Sequence, residues 1–66
     1  MKIRDFVNWE LEKFRNECNF TEDEMRYFNL KAKDKSNTFI ALELNISEAQ
    51  VNKLSKRVRT KIIKVL

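Results

Sequence analysis

Neither glycine nor proline occurs in this 66-residue chain, so every change of direction must be made by residues that carry a Cβ. The left-handed positions that glycine usually fills at helix ends then fall to asparagine and aspartate, which tolerate that conformation best among the other residues. Two such residues, Asp34 and Asn45, stand where helical patterns stop. A series of helices is the expected result, with no repeat, linker or low-complexity stretch between them.

Four pieces follow from the spacing of apolar residues. At about 100° per residue Ile3, Val7, Leu11, Phe14 and Cys18 share one stripe, which predicts an amphipathic helix over residues 3 to 18. Thr21 can cap a second helix with Glu24 at the reciprocal capping-box position, and Phe20 and Met25 are placed as a hydrophobic staple. In that helix Met25, Phe28 and Ala32 form one stripe and Tyr27 and Leu30 another, as suits a helix touched from two sides; it should end between Lys33 and Lys35. Ser36 caps a third helix, about 37 to 44, with Ile40, Ala41 and Leu44 buried. Asn45 stops it, Ile46 plugs the core, and Ser47 with Gln50 starts a fourth helix over about 48 to 64. There Val51, Leu54, Val58, Ile62 and Val65 fall on a stripe roughly 80° wide. The fold class is therefore all-α, a four-helix small domain: an N-terminal helix within 1–19 and a tri-helical core within 20–66.

Composition narrows the function. Apolar residues make up 42% and charged residues 36%, enough apolar surface for a folded core. A chain this short buries a smaller share of its surface than a larger one, so a partner subunit would add stability. With no histidine and one cysteine there is no disulfide framework, no zinc ligand set and no cysteine–histidine pair. No metal, cofactor or enzyme activity is expected. Cys18 should be a core thiol, and a reducing cytoplasm is the default location. The N-terminus "MKIRDFVNWELEKF" is too charged for a signal peptide or a membrane span.

The net charge of +4 is polarised along the chain. Residues 1 to 24 hold four basic and seven acidic side chains, whereas residues 49 to 66 hold six basic ones and no acid: Lys53, Lys56, Arg57, Arg59, Lys61 and Lys64. Such a segment favours a polyanionic partner, and a solvated helix face is the plainer alternative.

Across residues 37 to 56 the apolar points Ile40, Ala41, Leu44, Ile46, Val51 and Leu54, with Asn45 at the turn, follow the helix-turn-helix pattern, whose second helix enters the DNA major groove. The stretch "FTEDEMRYFNLKAKDKSNTFIALELNISEAQVNKLSKRVRTKI" resembles the LuxR-type (GerE-type) helix-turn-helix domain and is similar to the related region 4 of sigma factors. Thr21 and Glu24 stand at that family's leading threonine and glutamate. Ser36 and Asn37 match its serine–asparagine pair, and Ile40, Ala41, Leu44, Ile46, Ser47 and Val51 match its "IA..L.IS...V" core. Asp34, Gln50 and Leu54 depart from the family's usual glycine, threonine and histidine. The resemblance implies groove-facing roles for Asn52, Lys53 and Lys56 and phosphate contacts from Ser36, Thr38, Ser47 and Gln50. Residue chemistry points the same way. Helix N-termini at Ser36 and Ser47 offer free amides to phosphate, Asn52 can pair with adenine, and Lys53 or Lys56 with guanine. Lys35, Arg57 and Arg59 are placed for phosphates, and Glu48 would repel the DNA backbone unless it accepts from a cytosine amine.

Several large apolar residues fall off the stripes. Trp9 lies about 180° from the first helix's stripe and Phe6 to one side of it, while Phe39 and Leu42 point away from the Ile40–Leu44 face. Phe6, Trp9, Phe39, Ile63 and Leu66 are the candidates for a homodimer or partner-protein surface, with Trp9 folded over the core edge as the alternative. Two functions follow as expectations. The first is a small transcriptional regulator that binds double-stranded DNA as a dimer. The second is an interaction module that presents Phe6, Trp9 and the basic face to RNA polymerase or another protein.

Overall fold

A break in the chain after its first turn decides where the aromatic residues go. The computed structural model describes residues 2–66. Ile3–Asp5 makes a single 3-10 turn, Phe6 and Val7 are extended, and helix α1 begins at Asn8 and runs Asn8–Glu17. The continuous helix expected over residues 3 to 18 is corrected accordingly. On an unbroken helix Phe6 would sit about 100° from the Ile3 and Phe14 stripe. With the break, Ile3 is buried and the Phe6 ring stands edge-on to Phe14, centroids 4.8 Å apart. Val7, expected inside, is left exposed, and its amide donates to the Glu10 carboxylate at 3.0 Å, which fixes the start of α1.

Three further helices follow: α2 over Glu22–Ala32, α3 over Asn37–Leu44 and α4 over Glu48–Val65. Their starts are those the capping residues dictate. Thr21 Oγ1 accepts from the Glu24 amide (3.3 Å) while the Glu24 carboxylate accepts from the Thr21 amide (2.9 Å). Ser36 Oγ accepts from the Phe39 amide at 3.1 Å. Ser47 and Gln50 form the second reciprocal box, 3.2 Å in each direction.

The ends are made without glycine. Asn19, Asp34 and Asn45 take φ of 53°, 62° and 56°, the left-handed region. After α2 the Lys35 amide reaches back to the Leu30 carbonyl (3.1 Å) and the Asp34 amide to Lys31 (2.9 Å). After α3 the Ile46 amide reaches Ala41 (3.0 Å) and the Asn45 amide reaches Leu42 (3.3 Å). Both are Schellman closures, which satisfy two carbonyls that the helix leaves unpaired. Asp34 and Asn45 thus act as the sequence pattern requires, and Asn19 takes the same left-handed angle just past the end of α1.

Helix α4 is the element on which the others assemble, packing against α1, α2 and α3, while α2 also touches α3 and the 3-10 turn. Its stripe Val51, Leu54, Val58 and Ile62 is buried, with Val65 half-buried at the end. Opposite it stand Phe14, Phe28 and Ile40, all without solvent contact of any size. The aromatic rings continue in a chain, Phe14 to Phe28 at 6.4 Å and Phe28 to Phe20 at 5.1 Å. Tyr27 and Phe28 are both buried and Leu30 and Ala32 half-buried, so α2 is packed on two sides. Cys18 is a core residue, and burial first, then the Glu17 charge, pushes its thiol pKa up against the opposing pull of Lys61. Among the described residues no helix is long and apolar enough to cross a membrane.

Trp9 is 68% exposed and lies on the outward side of α1, so the indole does not fold over the core edge. Replacing it by alanine is expected to change stability by no more than about 0.5 kcal/mol, the range for surface positions without a special role. At Asn45 the backbone angle sets the outcome. Asn45→Ala should cost about 1 kcal/mol more than Asn45→Gly, because only glycine escapes the left-handed penalty. Urea midpoints of the three variants, read at unchanged slope, check both statements.

Candidate nucleic-acid interface

With its apolar stripe spent on the core, α4 turns its opposite side to solvent. Asn52, Lys53 and Lys56 are all exposed there, about one turn apart or less, with Ala49 before and Thr60 after them. No acidic residue follows Glu48 on this helix. The three residues expected to read bases are therefore brought to one outward face.

Both neighbouring N-termini keep donors for an anion. The Ser47–Gln50 box occupies the Ser47 and Gln50 amides, and the Val51 amide closes the first helical bond to the Ser47 carbonyl at 3.1 Å. The Glu48 and Ala49 amides are the ones left without an intrahelical partner at that end. Ser36 and Ser47 use their hydroxyl oxygens as acceptors, so each hydroxyl hydrogen stays free to donate, as does the Gln50 carboxamide N–H2. Thr38 differs, since its hydroxyl donates to the Glu48 carboxylate at 3.2 Å. That bond gives Glu48 a partner inside the chain and ties the start of α3 to the start of α4. It also withdraws the Thr38 hydrogen from the phosphate contact expected of it while the bond is made. Lys35 stands with its ammonium 5.1 Å from the centroid of the Phe39 ring, a cation–π contact that holds the charge near the α3 N-terminus.

The six basic residues of the C-terminal segment do not act as one group. Lys61 turns inward, donating to the Glu24 carboxylate at 2.5 Å and to the Asn19 carbonyl at 3.1 Å. Glu24 is 2% exposed and also accepts from the Thr21 amide. Burial works most strongly against its charge, yet Lys61 and Thr21 together outweigh it and hold the carboxyl below the usual carboxylate range. One side chain therefore completes the cap of α2 and binds α2 to α4. The capping-box spacing in "TEDE" signals the first role, but nothing in the helical pattern signals the second, which requires Lys61 to arrive from 37 residues away.

Arg57 and Arg59 part company as well. Two residues on a helix lie about 200° apart, which sends them to opposite flanks of α4. Arg57 lines a groove of about 400 Å³ with Lys53, Lys56 and Lys64, whose floor reaches the Glu24–Lys61 pair. Arg59 instead joins Lys31 and Asn37 in a cleft on the other flank. Of the apolar candidates, Trp9, Ile63 and Leu66 are well exposed and Phe39 is at the margin. Phe6 is not available to a partner in the same way, because its half-buried ring packs on Phe14. Leu42 is 78% exposed and joins Phe39 on the outer side of α3. Compared with family models, curated proteins and solved structures, the chain shows no significant match.

The sign of the Glu24 effect on stability is fixed by its lowered pKa. The contribution is fully present above the ordinary value of 4.5 and is lost as pH falls through the lower folded-state value. Glu24→Gln should cost about 1–3 kcal/mol near neutral pH by leaving Lys61 half-buried without its counter-charge. The gap between wild type and Glu24→Gln should then close as the pH falls below 4.5 and through the lowered folded-state value, where the wild-type carboxyl also becomes neutral. Denaturant titrations of both proteins across that range check it; a gap independent of pH would show that the ion pair adds nothing.

Proposed function

We propose that the protein binds double-stranded DNA, with α4 lying in the major groove and α3 across the backbone, and that it acts as a small transcriptional regulator. The observation that carries this is the outward face of α4: Asn52, Lys53 and Lys56 exposed and unopposed by acid, next to two helix N-termini that keep free donors. Asn52 offers the donor and acceptor pair that adenine N7 and N6 match, and either lysine can donate to guanine O6 or N7. Ser36, Ser47, Gln50 and Lys35 are grouped where α3 and α4 begin, so they would position the helix through phosphates without reading sequence. Arg57 would add a phosphate contact from one flank of α4 and Arg59 from the other. The resemblance of residues 20 to 62 to LuxR-type domains favours the same arrangement.

A second mode rests on a separate observation, the exposure of Trp9 and Leu66. These side chains would pair two copies of the chain or dock a protein such as RNA polymerase, and paired copies would span half-sites about one helical turn apart. Sedimentation at high concentration tests the pairing: a dimer that Trp9→Ala dissociates supports it, and a monomeric wild type ends it.

DNA binding itself is tested by a backbone-amide titration with a mixed-sequence duplex at two salt concentrations. Shifts should concentrate on 36–38 and 47–57, and log affinity should fall against log salt with a slope of roughly −3 to −4.5 per subunit, as expected for three to five neutralised phosphates. Charge reversal at Lys53 and Lys56 together should weaken binding by at least about 100-fold, since each exchanges an attraction for a repulsion. A response that is flat in salt, or one confined to the Trp9 side of α1, would overturn the proposal.

A further inference from the structure

One acid stands inside the face assigned to DNA. Glu48 is the first residue of α4 and the last acidic side chain in the sequence. It is exposed, and among the described residues no cation lies within ion-pair distance of it. What holds it is the Thr38 hydroxyl, which donates to Glu48 Oε1 at 3.2 Å. Thr38 belongs to the opening turn of α3, so this contact joins the starts of the two helices proposed to lie on DNA. A carboxylate beside DNA phosphates costs affinity at every sequence. It repays that cost only where the DNA presents a hydrogen-bond donor to it.

Donors are few in the major groove. Guanine shows two acceptors there, thymine an acceptor and a methyl group, and adenine an amine beside the N7 acceptor, whereas cytosine shows its N4 amine alone. A carboxylate only accepts, so cytosine is the base it meets without an opposing lone pair. Thr38 engages Oε1, and no hydrogen bond within the described residues engages Oε2. Glu48 and Asn52 are both exposed and stand four residues apart on one row of α4, about 6 Å along its axis. Successive bases of a strand are about 3.4 Å apart, so the two side chains span one or two base steps. The N-terminal residues of a recognition helix are the ones that contact base edges.

From the carboxylate held by Thr38 and its row with Asn52, we infer that Glu48 is a specificity-determining residue. It selects a C·G pair one or two steps from the A·T pair that Asn52 reads, and Thr38 is the positioning residue that aims it. The inference rests on the DNA-binding reading of α4. Thr38 thereby acts through Glu48 and not on a phosphate. Fixing one carboxylate oxygen in advance leaves less side-chain freedom to be lost on binding. A hydroxyl does this without neutralising the carboxylate, as a lysine or arginine partner would.

The test is selection of duplexes from a randomised pool by the full chain, followed by affinities for the best duplex and its single-base-pair variants. Wild type, Glu48→Gln, Glu48→Ala, Thr38→Val and Thr38→Ser are compared, with thermal melting to show that each is folded. Wild type should prefer cytosine at one position by about tenfold, within the range of a good contact between side chain and base. Glu48→Gln should move that preference to adenine, whose N6 and N7 a carboxamide matches, and Glu48→Ala should abolish it, with other positions unchanged. Thr38→Val should cut the cytosine preference several-fold, and Thr38→Ser should keep it. The inference falls if Glu48→Ala tightens every duplex equally, which would make the carboxylate a repeller and nothing more. It also falls if Glu48→Gln selects the same sequences as wild type, or if wild type binds duplexes without enriching any sequence. The role given to Thr38 falls if Thr38→Val weakens all duplexes uniformly or changes nothing. In each of these cases duplexes still bind, so the DNA reading stands; a wild type that binds no duplex at low salt overturns both.

Discussion

The apolar stripe of α4 is the constraint from which the rest of the molecule follows. Val51, Leu54, Val58 and Ile62 are the surface onto which α1, α2 and α3 pack, and burying them decides which side of α4 faces out. In a chain of this size the stripe is a large share of the available core, and losing any part of it would be felt by all three partners. The outward face of α4 is polar and basic because nothing remains to cover it. Packing and the candidate interface are therefore two consequences of one helix's sorting of residues.

The Glu24–Lys61 pair shows how little polar material a small core can accept and how thoroughly it must be satisfied. A carboxylate at 2% exposure is tolerable because it receives the Thr21 amide and the Lys61 ammonium together. The same lysine reaches the Asn19 carbonyl at the end of α1, so one side chain joins three elements. The closures at Asp34 and Asn45 have a similar economy, returning backbone amides to open carbonyls with residues that hold a left-handed angle at modest cost.

The distribution of charge separates two regions that look continuous along the chain. Six basic residues follow one another from Lys53 to Lys64, yet one is paired with Glu24 and the others divide between the two flanks and the crest of α4. On one flank they run beside Lys53 and Lys56. On the other, Arg59 meets cations brought by the 3-10 turn and by α2.

The amino-acid sequence by itself determined α2, α3 and α4 and their limits. Period and capping residues are local signals, so Thr21, Ser36 and Ser47 mark helix starts, Asp34 and Asn45 mark stops, and the stripes of α2, α3 and α4 can be read from neighbours within a turn or two. It also placed Asn52, Lys53 and Lys56 on one outward face, since that depends on nothing beyond helical spacing. Tertiary structure alone decided the break at Phe6–Val7, because the gain of setting Phe6 against Phe14 and burying Ile3 exists only once α1 has partners. It decided that Thr38 is bonded to Glu48, that Lys61 is tied to Glu24, and that Arg59 shares a cleft with Lys2, Arg4 and Lys31. The division has one physical reason: hydrogen bonds within a helix turn are set by residues three or four apart, whereas the fate of a charge depends on whatever distant segment comes to lie beside it.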